Sequence, residues 1–291
     1  MTTGAVSADA MPAAALAHAI DIERGDWIRN RLGRWSSVAG TVGRDFDAYA
    51  RVFHPVDAQL LHWEGSRPVT DQALRLRWAE IADRCGTTTH PVMQWSAITA
   101  GHSDPGSGQD GWQYGSPDQG RLAQDQLAAL TRVLAQHTTT PDAVTAGLWD
   151  GFGWIHGGSA IGHFVAVPEG TSRRKRARLL RAAQGVEPAG FPAEVLGGPL
   201  LALPGRSYFL FDGDIAVFDD PAWARNSWGE AGAFWGQTPN LLWPRDHAWL
   251  MASEIDFDST LVGGTRAVVD ALVSSADLEA LEVAPDASLA E

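Results

Sequence analysis

Three carboxylates follow an apolar run in the C-terminal part of the chain. Glu254, Asp256 and Asp258 come directly after residues 247–253, HAWLMAS, which are rich in large apolar side chains. Carboxylates held together at the end of a strand can attack a substrate, exchange protons with it or hold Mg²⁺. If the chain is an enzyme, we predict that these three carboxylates are its catalytic residues and that the reaction is a hydrolysis, phosphatase-like or metal-assisted.

The order Asp256, Asp258, Thr260 resembles the Asp-x-Asp-x-Thr motif of haloacid-dehalogenase-type phosphatases. The resemblance implies a nucleophilic Asp256, an acid–base role for Asp258 and Mg²⁺ between them. That family begins with the motif and continues through a long series of βα units, whereas only 31 residues follow Thr260 here. The short remaining chain favours the alternative, an Asx turn in which Ser259 or Thr260 caps a helix.

Thirteen tryptophans offer a second kind of site. Trp is large, rigid and amphipathic, so it can build a core or line a ligand groove, and core use is the more common. Trp243 and Trp249 shortly precede the carboxylates in the sequence, and Trp112 lies in the loop-like stretch 99–118. We predict that these three contact a ligand together with His54. The nine histidines show no compact metal-ligand spacing, so neither a metal nor a cofactor is predicted.

Composition argues against several classes of protein. The formal charge of −13 opposes binding to nucleic acid or to an anionic membrane surface. Cys85 is the only cysteine, which excludes an intramolecular disulfide and a cysteine-based zinc site. No run reaches the ~18 apolar residues of a spanning helix, and residues 1–20 lack the basic start of a secretory signal. We therefore predict a cytoplasmic protein; its oligomeric state is left open.

The apolar run at 247–255 is predicted to be a buried or half-buried strand. It is too short for a typical helix, and turn residues precede it. Because side chains alternate along a strand, Trp249 and Met251 should lie on one face, and Leu250 and Ala252 on the other. This strand should deliver the acidic corner to the protein surface.

Other local patterns complete a prediction of the α+β class. Apolar periodicity and turn residues predict a strand at 46–53, two strands hinged at Pro204-Gly205, and helices at 70–86, 118–136 and 265–281. The elements do not alternate regularly, which favours a largely antiparallel or mixed sheet of about five to seven strands, flanked by about four or five helices. We predict a single domain at 25–284 with a basic, Pro/Gly-rich excursion at 169–199, and flexible tails at 1–24 and 285–291.

Several segments together resemble one family of actinobacterial-type proteins. The likeness rests on FDAYARVFHPV at 46–56, RWAEIADRCG and HPVMQW within 77–95, GLWDGFGW at 147–154, LPGRSYFLFDG at 203–213 and TPNLLWPRDHAWLMASEIDFDSTLVGG at 238–264. No activity is assigned to that family, so the resemblance implies a single folded unit and no mechanism. The sequence therefore predicts a non-enzymatic protein that binds a ligand or a protein partner through a Trp-rich surface or cleft. The hydrolase built on Glu254, Asp256 and Asp258 is the alternative.

Overall fold

An antiparallel sheet organises the part of the chain that the computed structural model describes, which is residues 16–99, 111–157, 189–220, 223 and 237–289. Nine strands form this main sheet. Their bounds are β1 (Ala17–Ala19), β2 (Ala48–Phe53), β6 (Val144–Trp149), β7 (Leu201–Leu203), β8 (Arg206–Gly213), β9 (Leu241–Pro244), β10 (Trp249–Ala252), β11 (Ser259–Gly264) and β12 (Ala280–Glu282).

The strand order across the main sheet is β1, β8, β6, β9, β10, β11, β2, β12. Each neighbouring pair is antiparallel, and β7 pairs with the first residues of β8 while β1 pairs with the last ones. A second sheet of three strands contains β3 (Val56–Glu64), β4 (Arg67–Leu76) and β5 (Trp112–Tyr114), with β3 in the middle.

Helices lie on both faces of the main sheet and beside the second sheet. They are α1 (Asp26–Arg29), α2 (Val38–Val42), α3 (Trp78–Cys85), α4 (Trp95–Ile98), α5 (Gln124–Ala135), α6 (Ala193–Leu196) and α7 (Arg266–Val273), with 3-10 turns at Glu23–Gly25, Gly153–His156 and Ile215–Asp219. The buried residues of α5 and α7 belong to a first core, and those of α1 and α2 to a second core across the sheet. The α+β prediction is confirmed, with more strands and helices than the sequence indicated.

Strand β10 shows how the sheet separates the two cores. Trp249 and Met251 pack in the first core, whereas Leu250 and Ala252 pack in the second. The predicted alternation is therefore confirmed for residues 249–252. Residues 253–256 leave the strand in an extended stretch and a turn, so the strand is shorter than the predicted range.

The predicted helix at 70–86 is wrong in its first half. Residues 67–76 form β4, which pairs with β3 in a hairpin, and the helix begins only at Trp78. Gly65, with φ of +67°, makes the tight turn between the two strands. The helical spacing of Leu74 with Trp78 runs across this boundary, because cross-strand pairing overrides the helix-forming tendency of residues 67–76.

Two other helices are shorter than predicted. Helix α5 begins at Gln124 rather than near 118, and α7 ends at Val273, after which Ala280–Glu282 forms β12. The N-cap of α7 is Thr265, whose hydroxyl accepts a hydrogen bond from the Val268 N–H. The predicted helix caps Ser259 and Thr260 instead lie inside β11, so that interpretation of the acidic corner is wrong.

Segments predicted as tails belong to the fold. Residues 17–19 form β1 at the edge of the main sheet, and the Val38 and Ala39 N–H groups donate to carbonyls of residues 287 and 285. Leu289 is buried in the second core. Residues 1–15 and most of the predicted excursion, 169–188, lie outside the described residues. No helix in the described ranges is long and apolar enough to cross a membrane.

Candidate functional site

Glu254 and Asp256 meet at one arginine. Arg206, at the start of β8, donates from Nε and Nη2 to Glu254 Oε1 at 3.1 and 2.7 Å, and from Nη2 to Asp256 Oδ2 at 2.8 Å. The Glu254 side chain is 8% exposed and that of Asp256 69% exposed. We call Arg206, Glu254 and Asp256 the Arg206 cluster. Its two carboxylates share a single guanidinium.

Asp258 lies with a different arginine. Arg51, buried in β2, donates from Nη2 to Asp258 Oδ1 at 3.0 Å and from Nε to Ser259 Oγ at 2.8 Å. Its Nη1 donates to the carbonyl of Met93 at 2.7 Å, which ties the segment before α4 to the sheet. The structure therefore brings Glu254 and Asp256 together and places Asp258 in a separate ion pair.

His54 is fully buried in a chain of hydrogen bonds. Its Nδ1 lies 2.6 Å from the Asp118 carbonyl oxygen and must donate to it, so Nε2 accepts from the Thr260 hydroxyl at 2.9 Å. Thr260 Oγ1 in turn lies 2.6 Å from Ser253 Oγ. Burial lowers the pKa of His54 to about 4. The imidazole is neutral at pH 7 and links the end of β2 to β11 and to the segment at Asp118.

The three predicted ligand-binding tryptophans occupy different places. Trp249 is buried in the first core and donates from Nε1 to the Leu134 carbonyl at 3.0 Å. Trp243 is buried in the second core on the other side of the sheet. Trp112 lies in β5 with the Arg84 guanidinium 4.6 Å from its ring centre. Of these three tryptophans, Trp243 also lines a large cleft at the surface of the main sheet.

The cavity beside the Arg206 cluster is small. It has a volume of about 30 Å³ and is lined by Trp35, Tyr208, Asn240 and Glu254 among others. The Arg206 guanidinium lies 5.4 Å from the ring centre of Trp35 and 5.7 Å from that of Trp149. Burial, and then the Glu254 carboxylate, raises the pKa of Tyr208 well above its ordinary value. This end of the sheet is closed by its own side chains.

A much larger cleft lies at the other end of the same sheet face. Its volume is about 540 Å³. The register aligns Asp212, Thr145 and Trp243 in one row across β8, β6 and β9. Thr145 Oγ1 donates to Asp212 Oδ1 at 3.0 Å, so both side chains lie on the same face. We call this the sheet-end cleft; it is lined by Asp21, Arg24, Asp142, Ala143, Val144, Thr145, Asp212, Gly213, Trp243, Arg245 and His247.

Arg24 joins the segment after β1 to the floor of the sheet-end cleft. Its Nη1 contacts Asp212 Oδ2, its Nε donates to the Asp21 carbonyl at 2.8 Å, and its Nη2 lies 3.4 Å from the Asp21 carboxylate. One guanidinium thus serves two carboxylates. Arg24 therefore lines the cleft, but most of its hydrogen-bond donors already have partners within the protein.

The turn between β9 and β10 forms the opposite rim. Asp246 accepts from the Thr139 N–H at 2.7 Å, from the Thr139 hydroxyl at 2.8 Å and from the Thr138 hydroxyl at 2.8 Å. Burial alone would raise the pKa of Asp246, but these hydrogen bonds outweigh it and lower the pKa. These hydrogen bonds of Asp246 fix the turn that carries Arg245. The Arg245 N–H also donates to the Ala143 carbonyl at 2.9 Å.

His247 completes the rim in a left-handed backbone conformation, with φ of +55°. Its ring stacks on Trp27 of α1, with ring centres 4.3 Å apart and planes 17° apart. Burial, and then the nearby Arg31, lowers the pKa of His247. The imidazole is therefore neutral at pH 7, with one donor and one acceptor nitrogen.

Two charged groups of the sheet-end cleft are exposed and have no ionic or side-chain hydrogen-bond partner among the described residues. They are the Arg245 guanidinium and the Asp142 carboxylate, both on the rim. Within the ranges that the structure describes, no group of three His, Cys, Asp or Glu side chains is arranged to hold a metal ion. The chemistry that the cleft offers is therefore hydrogen bonding and charge pairing.

Sequence reasoning missed this cleft, because its lining comes from four segments far apart in the chain. No local sequence pattern singles out Asp212 or Arg245. The signal that could have indicated them is the polar side chain of Thr145 inside the otherwise apolar β6. Comparison with known proteins gives no relative: no protein-family model, no curated protein and no solved structure matches the chain.

Proposed function

We propose that the protein is a binding protein that holds a small polar molecule in the sheet-end cleft. The observation that carries the proposal is the cleft itself, an open space of about 540 Å³ over a row of strand residues. Ligand sites typically have volumes of ~300–1,000 Å³ and present a few well-placed polar groups. The sheet-end cleft has that volume, and charged side chains from several segments converge on it.

The walls of the cleft are fixed before any ligand arrives. Arg24 holds Asp212 from one side, and Asp246 holds the rim turn through the threonines at 138 and 139. Trp243 beneath is buried in the second core. Side chains that are already held lose little conformational entropy on binding, which favours affinity.

The hydrolase alternative draws less support from the same structure. Glu254 and Asp256 share the Arg206 guanidinium, and Asp258 is paired with Arg51. The cavity beside Glu254 measures about 30 Å³, the space of a water molecule or two. A substrate would have to displace these ion pairs before any of the three carboxylates could act on it.

A fragment screen with a blocked variant tests the proposal. Ala143 lines the cleft, so Ala143→Trp should fill it, whereas Ala73→Trp adds the same side chain to exposed β4. We expect small polar fragments to bind the wild-type protein and Ala73→Trp, and to lose binding to Ala143→Trp, in ligand-observed NMR. Circular dichroism checks that both variants are folded. Fragments that bind folded Ala143→Trp as well as wild type would contradict the proposal.

A further inference from the structure

The charges of the sheet-end cleft indicate which kind of polar molecule it accepts. The inference rests on the proposed function and concerns the same site. The lining carries three aspartates and two arginines. Arg24 is engaged by Asp21 and Asp212, so these three groups form a closed set with one negative charge in excess. Arg245 and Asp142 remain, one cation and one anion.

The two remaining charges lie close together along the rim. The Arg245 N–H donates to the carbonyl of Ala143, the residue next to Asp142. No ion pair joins the Arg245 and Asp142 side chains in the described structure, and both are exposed. A guanidinium recognises a carboxylate through two parallel hydrogen bonds, and a carboxylate recognises an ammonium group. The rim therefore offers complementary partners to a molecule that carries both groups.

Neighbouring groups strengthen each end. Beside Arg245, the neutral His247 ring can donate one further hydrogen bond to a ligand carboxylate. The set of Asp21, Arg24 and Asp212 carries one negative charge in excess within the same lining as Asp142, which favours a cation. A ligand with a single net charge would satisfy one end and leave the other without a partner.

We infer that the ligand of the sheet-end cleft is a small zwitterion with a carboxylate and a primary ammonium group, of which a free α-amino acid is the simplest form. The carboxylate binds Arg245 and the ammonium group binds Asp142. The volume of the cleft leaves room for a side chain or a second residue, so amino acids and dipeptides are both suitable probes.

Matched ligands and variants test this assignment by isothermal titration calorimetry. The probes are the standard L-amino acids and a set of dipeptides, each compared with its C-terminal amide and its N-acetyl derivative. We expect the wild-type protein to prefer the free zwitterion over either derivative by about tenfold or more, the effect of one charge-assisted hydrogen-bond pair. Arg245→Gln should abolish the preference for the acid over the amide, and Asp142→Asn the preference for the amine over the N-acetyl form.

A control variant and the alternative outcomes keep the two proposals separate. Arg132→Gln removes an exposed arginine from α5 and should leave both preferences unchanged. If no zwitterion binds but the fragments blocked by Ala143→Trp still do, the zwitterion assignment is overturned and the binding function stands. If neither class binds the wild-type protein, both are overturned. Equal affinity for amides and free acids in the wild-type protein would also overturn the assignment.

Discussion

The two ends of one sheet face use similar residues in opposite ways. The Arg206 cluster and the sheet-end cleft both combine arginine with carboxylates, and both lie beside tryptophan rings. Arg206 and Asp212 stand on the same strand, about 20 Å apart at ~3.3 Å per residue. At the first end the side chains pair with one another and leave about 30 Å³ of space. At the second end about 540 Å³ stays open.

The difference lies in how many charges have partners. In the Arg206 cluster, one guanidinium binds two carboxylates and lies against two indole rings. In the cleft, Arg24 plays the same part for Asp21 and Asp212, but Arg245 and Asp142 stay exposed. Paired, half-buried charges mainly fix the arrangement of strands, whereas exposed charges on a fixed rim remain available to a ligand.

The largest effect on stability is expected at the closed end. Arg206→Met removes the partner of Glu254, whose side chain is 8% exposed, and leaves that carboxylate buried without its ion pair. We expect the free energy of unfolding to fall by about 3 kcal/mol, the range for breaking a buried pair from one side. Urea denaturation followed by tryptophan fluorescence measures it.

An exposed arginine provides the control for Arg206→Met. Arg44 lies 3.5 Å from Asp286 with both side chains largely exposed. Arg44→Met should therefore cost less than about 1 kcal/mol. An Arg206→Met variant as stable as Arg44→Met would mean that the Arg206 cluster contributes no more than a surface ion pair, and the contrast between the two ends would fail.

An effect of similar size, dependent on pH, is expected from His54. The unfolded chain protonates this imidazole near pH 6.5, whereas the folded protein does so only near pH 4, because the ring is buried. Between these values the unfolded state binds more protons, so stability falls as the pH falls from 6.5 to 4. The loss is about 3 kcal/mol in all. Urea denaturation at pH 7 and at pH 4.5 measures most of it.

Two further measurements isolate the contribution of His54. The His54→Gln variant should lose a smaller part of its stability over the same pH interval. In wild-type protein, the NMR signals of the His54 ring should stay in the neutral form down to about pH 5, which requires no variant to fold. A His54 ring that titrates near pH 6.5 would show that the buried chain to Thr260 and Asp118 opens in solution.

Features that depend on interactions between residues close in the sequence could be predicted, and features that depend on residues far apart in the sequence could not. The alternation of Trp249 and Leu250 across the sheet follows from a local pattern with a period of two, and it was predicted. The partner of Glu254 is Arg206, 48 positions away, and no local pattern connects them. The sequence therefore indicated that carboxylates follow β10, but it could not indicate which arginines pair with them.

The same limit explains the errors in the elements and the site. Leu74 and Trp78 have helical spacing, but the strand β4 ends between them, because pairing with β3 decides the structure of residues 67–76. The sheet-end cleft needs the register of β8, β6 and β9, which places Asp212 beside Thr145. Only the tertiary structure supplies that register.

The smallest effect on stability is expected at the open end, from the two groups assigned to the ligand. Arg245 and Asp142 are exposed and have no ionic partner among the described residues, so the folded protein gains little from either charge. Arg245→Gln and Asp142→Asn should change the free energy of unfolding by no more than about 0.5 kcal/mol. The urea series used for Arg206→Met measures both variants.

The small expected change in stability is informative when it is compared with the effect of the same substitutions on ligand binding. A residue that serves a ligand and not the fold loses affinity on substitution while the midpoint of unfolding stays where it was. Arg245→Gln at the open end and Arg206→Met at the closed end should therefore behave in opposite ways in the two assays. A loss of more than about 1 kcal/mol in Arg245→Gln would assign this arginine to the rim structure, because only a contact made in the folded protein can produce it.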